Sequence, residues 1–425
     1  MKYTLPLAVL MVVFTFWAGA AEPEPIALPP EAAPLPEGMS LAELEGIAEH
    51  GNPTLVQAAA RVRAAQAECV QVGLYPNPRI GYQATDMGVG GTSGKQGAVA
   101  GQEFVTAGKL KRNREVAAQE IQQAEFAWQA QRQRVVNDVR RAFYEVLVAQ
   151  RTVELTDELV RIGQEGVKAA EALLKAKEVS RVDVLQARVE ADSVGILAEK
   201  ARNRHLAAWR NLALVIGSPD MPLTKLTGDL EENLAEFTWE ATVNRVLGES
   251  PQVAEARTGV SRAEAVVGRE CAVRIPNVDM QVGVAYDNEA RDSIAEVQAG
   301  FALPLFNRNQ GNIRKAEAEL IAARHEVRRV ELELQQQLAA AFEQYRNARY
   351  QVQRYSQQIL PNAQASLDLV AAGYRQGEFN YITLLTAQRT FFQVNLAYVD
   401  SMRDLRTIVV AIEGYLLTDS LQHGR

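Results

Sequence analysis

The chain has 425 residues, of which 47% are hydrophobic and 23% are charged, and this ordinary composition excludes wholesale disorder and a polytopic membrane protein. Its 45 Lys and Arg residues stand against 52 Asp and Glu residues, so the net charge is −7 and a nucleic-acid partner is not expected. Two cysteines are too few for a disulfide scaffold.

The first predicted element is an export signal in residues 1–20. Lys2 supplies a positive charge, residues 3–17 are uncharged and mostly apolar, and residues 18–20 form a small-x-small cleavage site. A single N-terminal anchor helix is the alternative, but the apolar run is short for a membrane span. No cysteine follows the cleavage site, so lipid anchoring there is not indicated. Residues 21–39 contain six of the sixteen prolines, which predicts an extended leader.

The rest of the chain repeats one pattern twice, in residues 40–217 and 250–415. Five paired motifs recur in the same order at offsets of 198 to 200 residues, which indicates an internal duplication. Residues 218–249 form a small segment between the copies, and residues 416–425 form a C-terminal tail. The pairs are Asn52-Pro53 with Ser250-Pro251, Pro76-Asn77 with Pro276-Asn277, Ala142-Phe143 with Ala341-Phe342, Lys177-Glu178 with Gly377-Glu378, and Leu185-x-Ala187 with Leu385-x-Ala387.

Each copy contains a stretch that predicts an unusually long helix. Residues 109–162 and 312–360 contain neither Gly nor Pro and are rich in strong helix formers. In the first stretch, apolar residues recur at a spacing of roughly 3.5 to 3.6 positions, which is typical of a coiled-coil seam. Return helices are predicted over residues 182–216 and 381–414, so each copy forms a long antiparallel helical hairpin.

A β-hairpin precedes the long helix in each copy. In the second copy, apolar residues alternate with polar or small residues from Val278 to Tyr286 and from Glu296 to Leu303, the length and pattern of a transmembrane β-hairpin. The first copy has a weaker pattern that ends with a strand over residues 98–104. A soluble amphipathic hairpin has the same alternation and stays open as the alternative. Because four strands cannot close a barrel alone, strands in a membrane would require several chains.

The sequence lacks the common catalytic and metal-binding patterns. It has no GxSxG nucleophile motif, the segment from Gly101 to Lys109 fails the P-loop spacing, and His325-Glu326 lacks the second histidine of a zinc helix. The four histidines are scattered along the chain. The sequence therefore predicts no enzyme activity, no cofactor and no metal site.

The repeated order of these elements resembles the TolC-type outer-membrane efflux channels over roughly residues 40–415. The motifs that carry the resemblance are Asn52-Pro53, Pro76-Asn77-Pro78, Gly108-Lys109 and Gly377-Glu378-x-x-x-x-Thr383-x-Leu385-x-Ala387. The resemblance implies a mainly α fold with a membrane β-barrel contribution. Duplicated long antiparallel helical hairpins and two β-hairpins would build a trimeric tunnel, part α-barrel and part β-barrel.

The resemblance also implies a location and partners. The homotrimer would sit in outer-membrane lipid and extend into the periplasm after removal of the signal peptide. It would be a passive conduit of a tripartite efflux system, joined to an inner-membrane efflux pump by a periplasmic adaptor protein. Small molecules or metal ions would be exported, and the sequence does not identify which.

Two sets of site residues follow from the resemblance. The helical tips would dock the adaptor and form the entrance, and Leu185 and Leu385 are expected to pin each tip against its long helix. The family's acidic positions in the second tip hold Thr383 and Thr386, so no acidic ring is predicted there. The tip residues are Lys177, Glu178, Asp183, Leu185, Gly377, Glu378, Thr383 and Leu385. The barrel lumen would be lined by Asp279, Gln281, Glu296 and Gln298.

Two other protein classes share part of this pattern. An exported periplasmic adaptor also has a long helical hairpin, but it would carry one hairpin nested in β-domains rather than two copies. A structural coiled-coil protein would explain the long helices but not the two β-hairpins.

Overall fold

The computed structural model describes residues 38–91, 93–231, 235–376 and 378–422. The predicted signal peptide, nearly all of the leader, Gly377 and the last three residues lie outside the described residues. The elements in chain order are α1 (Leu41–Gly51), α2 (Pro53–Gln71), β1 (Arg79–Thr85), β2 (Lys95–Phe104), α3 (Lys109–Lys175), α4 (Arg181–Val215), α5 (Trp239–Glu249), α6 (Pro251–Val273), β3 (Val278–Asp287), β4 (Asp292–Gly300), α7 (Gln310–Arg354), α8 (Leu360–Arg375) and α9 (Tyr381–Glu413).

The long helices are longer than predicted. Helix α3 has 67 residues, so it is about 100 Å long at 1.5 Å per residue. The prediction ended it before Gly163, because glycine is a poor helix former. The helix continues through its glycines because the neighbouring helix and the Tyr381 side chain pack closely against them. A side chain at Gly163 would lie 3.4 Å from the Ala191 backbone, and one at Gly166 would lie 2.7 Å from the Tyr381 hydroxyl.

The second long helix passes through a proline. Helix α7 runs into a π-helical turn, Tyr355–Ile359, and α8 follows with Pro361 in its first turn. Proline clashes with the carbonyl four residues earlier in a regular α-helix, and the wider π turn changes that spacing. Residues 310–375 therefore continue as one helical rod where a stop was predicted at Leu360.

The two β-hairpins form one sheet. Its order is β1-β2-β3-β4 and all neighbours are antiparallel, so β2 of the first copy pairs with β3 of the second copy. Strand β2 begins at Lys95, three residues before its predicted start. Helix α3 and helix α7 follow the sheet directly, which places the sheet at one end of the helical hairpins.

Two large hydrophobic cores lie on the described helical part, and a third, smaller cluster lies near its tips. The first packs α1 against α3 and α4 around Leu44, Val139 and Trp209. The second packs α5 against α7 and α9 and includes Val246 and Met402. The first core uses helices before residue 216, and the second uses helices after residue 238.

The helix starts differ in detail between the copies. Asn52 caps α2, because its side-chain oxygen accepts the Thr54 N–H at 2.9 Å, and its amide also donates to the Val215 carbonyl at 2.8 Å. Ser250 occupies the matching position before Pro251, but its hydroxyl makes no capping hydrogen bond.

Among the described residues, no helix is both long and apolar enough to cross a bilayer.

The C-terminal residues fold back onto α3. Asn137 donates to the carbonyls of Gly414 at 2.9 Å and Leu417 at 2.6 Å. Asp138 accepts the N–H groups of Asp419 at 3.1 Å and Ser420 at 2.6 Å. Because Asn137 and Asp138 are almost fully buried, these bonds attach the segment after α9 firmly to the middle of α3.

Candidate functional site

The sheet has one polar face, and all four predicted lumen residues lie on it. Gln281 stands directly opposite Gln298 in the β3–β4 pairing, Glu296 stands opposite Gly283, and Asp279 stands opposite Gly300. Directly paired residues share a face, and residues two apart along a strand share it too. The register therefore assembles these side chains into one surface.

Side chains on this polar face reach across the sheet. The Gln281 amide donates to the Gln83 side-chain oxygen at 3.1 Å, which joins β3 to β1 over β2. The residues of β2 that pair with Gln281 and Gln83 are Gly101 and Gly97. A Cβ at Gly97 would lie 2.1 Å from the Val284 carbonyl oxygen, so the two strands approach too closely there for any side chain.

The opposite face of the sheet is apolar and uncovered. Val284 is 65% exposed and Val297 is 70% exposed. On the polar face, Gln281 and Glu296 are half-buried, whereas Asp279 and Gln298 are exposed. A soluble protein buries the apolar face of a sheet against its core and turns the polar face to water. Here the apolar face is uncovered, which argues against the soluble-hairpin alternative.

The two outer strands also lack partners in the described chain. Strand β1 pairs only with β2, and β4 pairs only with β3. Each outer strand therefore leaves a row of backbone N–H and C=O groups free on one side, and such edges readily pair with another chain. The sheet is incomplete in a single copy.

At the other end of the hairpins, the two tips share one backbone hydrogen bond across the turn. Lys177 adopts a left-handed conformation with φ 61°, and its N–H donates to the Leu174 carbonyl at 3.0 Å. The Glu178 N–H donates to the Leu173 carbonyl at 3.0 Å, which completes a Schellman motif. The matching Glu378 N–H donates to the Gly373 carbonyl at 2.8 Å, although Gly377 itself lies outside the described residues.

Two of the predicted tip residues serve as helix caps. Asp183 and Ser180 form a capping box at the start of α4, and the Ser180 hydrogen bonds hold the pKa of the Asp183 carboxyl below its usual range. Thr383 donates its backbone N–H and its hydroxyl to the Asn380 side chain, both at 2.9 Å. Both residues therefore fix where a return helix begins.

The expected role of Leu185 is wrong. Its side chain is 51% exposed, whereas the preceding Val184 is 5% exposed and packs with Ala170 and Ala187. The capping box starts α4 at Arg181, and this start turns Val184 and Ala187 toward α3. Leu385 is half-buried in the second tip.

This correction predicts different effects for adjacent residues. Val184→Ala should weaken the first tip by about 1 kcal/mol, because it removes buried methyl groups. Leu185→Ala should change stability by less than about 0.5 kcal/mol, because its side chain faces solvent. Hydrogen exchange of the tip amides measures both effects. Equal protection loss in the two variants would contradict the assignment.

The structure also joins the two hairpins through residues that the sequence did not single out. Arg389 on α9 makes two hydrogen bonds to Glu190 on α4. Tyr381, the first residue of α9, packs onto the apolar cluster of Val184 and Ala170. These contacts place the two tips side by side. An isolated Glu or Arg on a helical surface carries no sequence signal for a partner some 200 residues away, so pattern analysis could not find this pair.

The chain is similar to known outer-membrane efflux proteins. The sequence profile of the family described as "Outer membrane efflux protein" matches residues 46–218 and 242–416. The chain is 30% identical over 258 residues to the cobalt-zinc-cadmium resistance protein CzcC of Cupriavidus metallidurans, covering 61% of this chain and 62% of that protein. It is 24% identical over 310 residues to the cation efflux system protein CusC of Escherichia coli K12, covering 69% of this chain and 66% of that protein. Both matches span just under two thirds of the relative.

Solved structures share the fold. The outer-membrane channel OprN superposes with a TM-score of 0.72 at 20% identity, covering 89% of this chain and 90% of that chain. The open-state MtrE outer membrane channel of Neisseria gonorrhoeae superposes with a TM-score of 0.72 at 17% identity, covering 89% of each chain. The predicted fold class is therefore confirmed.

Proposed function

Because the chain belongs to the outer membrane efflux protein family, we propose that it is the outer-membrane channel of a tripartite efflux system. It would act as a passive conduit that receives its cargo from an inner-membrane pump through a periplasmic adaptor. Members of this family are channels rather than enzymes, which agrees with the absence of a catalytic pattern in the sequence.

The observation that carries this proposal is the uncovered apolar face of the sheet. Exposed valines on a regular strand are costly in water and favourable in lipid. The free edges of β1 and β4 are not tolerated in lipid, so neighbouring copies must pair with them. A closed barrel built from several four-stranded sheets meets both conditions. The family resemblance supports three copies, and thus twelve strands.

The proposed cargo is a metal cation. The support comes from the relatives, since two of them are named as a cobalt-zinc-cadmium resistance protein and a cation efflux system protein. The polar face is compatible with cations, because Glu103, Asp279 and Glu296 lie on it. A passive conduit needs no metal ligands of its own. In the described residues, no group of three or more His, Cys, Asp or Glu side chains could hold a metal ion.

A growth experiment tests the cargo. Cells that lack this channel should become sensitive to cobalt, zinc or cadmium and should recover when the wild-type gene returns. Sensitivity to organic antibiotics, with metal tolerance unchanged, would contradict the metal assignment while leaving the channel intact.

The tips are proposed to dock the adaptor. Glu178 and Glu378 are exposed at the two turns, and neither side chain makes an ion pair in the described part of the chain. We expect that changing both to Lys reduces adaptor cross-linking and export by about tenfold. If the adaptor presents positive charge to these acids, the lysines replace attraction at the rim of the interface with repulsion. The trimer should still assemble, since the turns depend on backbone hydrogen bonds.

The matched control places the same charge change away from the turns. Asp192 and Asp368 are exposed on α4 and α8, and Asp192→Lys with Asp368→Lys should leave cross-linking and export unchanged. Normal export in the Glu178→Lys, Glu378→Lys channel would show that these two acids do not contribute to docking.

Two alternative classes fit the structure less well. A periplasmic adaptor would carry a single hairpin within β-domains, whereas this fold has two hairpins joined to one sheet. A structural coiled coil would not place an uncovered apolar sheet at one end of the helices. The family match also favours the channel over both.

A further inference from the structure

A belt of basic residues surrounds the junction between the helices and the sheet. We define this basic collar as residues 109–114, 269–274 and 308–315, at the start of α3, the end of α6 and the start of α7. It contains nine Lys or Arg residues and one acidic residue, Glu270, in a chain whose net charge is −7. The local excess of positive charge is therefore large.

The three segments of the collar are held together at one level. The Lys109 ammonium donates to the Asn277 side-chain oxygen at 2.5 Å, next to the end of α6. The Asn309 amide donates to the Glu270 carbonyl at 2.9 Å. The Arg112 guanidinium lies 3.4 Å from the position of a Cβ at Gly268. The collar is thus one surface made by three elements.

Six of the nine collar cations make no ion pair among the described residues. Lys109 and Arg114 donate instead to the Asn277 side chain and the Gly73 carbonyl. The other four have no side-chain partner in the described chain: Lys111, Arg274, Arg308 and Arg314. All four are exposed. Farther from the sheet, some arginines on the same helices are paired, as in Arg324 with Glu264 at 3.2 Å and Arg262 with Glu120 at 2.8 Å. These exposed cations at the sheet end of the helices are accessible to an anionic partner from outside the described chain.

Apolar side chains lie directly beside these cations. Ile275 follows Arg274 in the sequence and is exposed, and Phe306, two residues before Arg308, is 91% exposed. Phe301 continues the alternation of β4 beyond its last paired residue. Leu303 and Leu305 between them are also exposed. We call these five residues the apolar belt, and it extends the apolar face of the sheet as far as the collar.

We propose that the basic collar binds the headgroups of anionic phospholipids in the leaflet nearest the helices, while the apolar belt enters the acyl chains. Exposed aromatic and aliphatic residues next to Lys and Arg form the usual protein surface at a bilayer boundary. The collar would then set the depth of the sheet in the membrane. This inference rests on the proposed function, because lipid reaches the collar only when the sheet is inserted.

A lipid-binding measurement tests the inference. The detergent-extracted oligomer is titrated with phosphatidylglycerol or phosphatidylcholine, and bound lipids are counted by native mass spectrometry. The wild type should prefer phosphatidylglycerol. The combined change of Lys111, Arg274, Arg308 and Arg314 to Gln should lower phosphatidylglycerol affinity by about tenfold or more, because each cation near an anionic surface contributes. Phosphatidylcholine affinity should stay the same.

The matched control removes four exposed cations elsewhere. Lys168, Lys175, Lys200 and Arg210 lie on the α3–α4 hairpin and make no ion pair in the described chain, so their combined change to Gln should preserve the lipid preference. If the collar variant does not assemble, the wild type still provides the test, since its phosphatidylglycerol preference should fall as salt concentration rises.

Several outcomes would overturn the proposal. Equal affinity of the wild type for the two lipids would do so, as would an unchanged preference in the collar variant. A changed ion selectivity of the channel with an unchanged lipid preference would place the collar on the tunnel wall instead. Failure of the proposed function gives another result, because the wild type would then form no detergent-extracted oligomer and bind neither lipid.

Discussion

Arginine in place of Val282 is expected to prevent insertion of the proposed trimer into the outer membrane. Val282 lies in the middle of β3 on the apolar face, directly opposite Val297. A charged side chain on the lipid face costs about 2–4 kcal/mol near the bilayer midplane, and a trimer would meet this cost three times. The amount of heat-modifiable oligomer in the outer-membrane fraction measures the effect.

The adjacent residue provides a control on the other face of the same strand. Gln281→Arg adds the same charge, but it points to the polar face and should leave oligomer yield near the wild-type level. Similar yields for Val282→Arg and wild type would show that this face does not contact lipid. Similar losses in both variants would show that the strand tolerates arginine on neither face. The experiment would then give no evidence that the Val282 face in particular contacts lipid.

Replacing Asp138 should release the C-terminal segment from α3. The buried Asp138 carboxylate accepts the N–H groups of Asp419 and Ser420 and lies 3.4 Å from the Arg141 guanidinium. Asp138→Ala leaves these donors without partners in a buried site, at a cost of about 3 kcal/mol or more. We expect a lower thermal unfolding temperature and faster proteolysis after residue 414.

An exposed acid on the same helix gives the comparison for this variant. Glu125 makes no ion pair in the described residues, so Glu125→Ala should leave both readouts unchanged. If Asp138→Ala keeps the wild-type unfolding temperature and a protected C-terminus, then the buried carboxylate does not hold this segment in place.

The larger features of the fold were predictable from local chemistry. Long stretches of helix formers without Gly or Pro located α3 and α7, and strict alternation from Val278 to Tyr286 located β3. The helix ends were missed where packing overrides propensity. Gly166 is tolerated inside α3 because Tyr381 fills the space beside it, and Pro361 is tolerated because a π turn precedes it.

The details of the tips were not predictable in the same way. The choice between Val184 and Leu185 as the buried residue depends on where α4 begins, and an error of one residue rotates the helix by about 100°. The Glu190–Arg389 contact depends on how the two hairpins pack, which local pattern does not encode. The sheet order required the pairing of β2 with β3, some 180 residues apart.

The mass and location of the assembled protein test the central claim most directly. Membrane fractions are separated, the protein is extracted with detergent, and its protein mass is measured by light scattering. We predict a complex in the outer membrane with close to three times the mass of the processed chain, whose full-length form is 46.7 kDa. A monomer that is released into solution without detergent would contradict the proposal that this chain forms an outer-membrane channel.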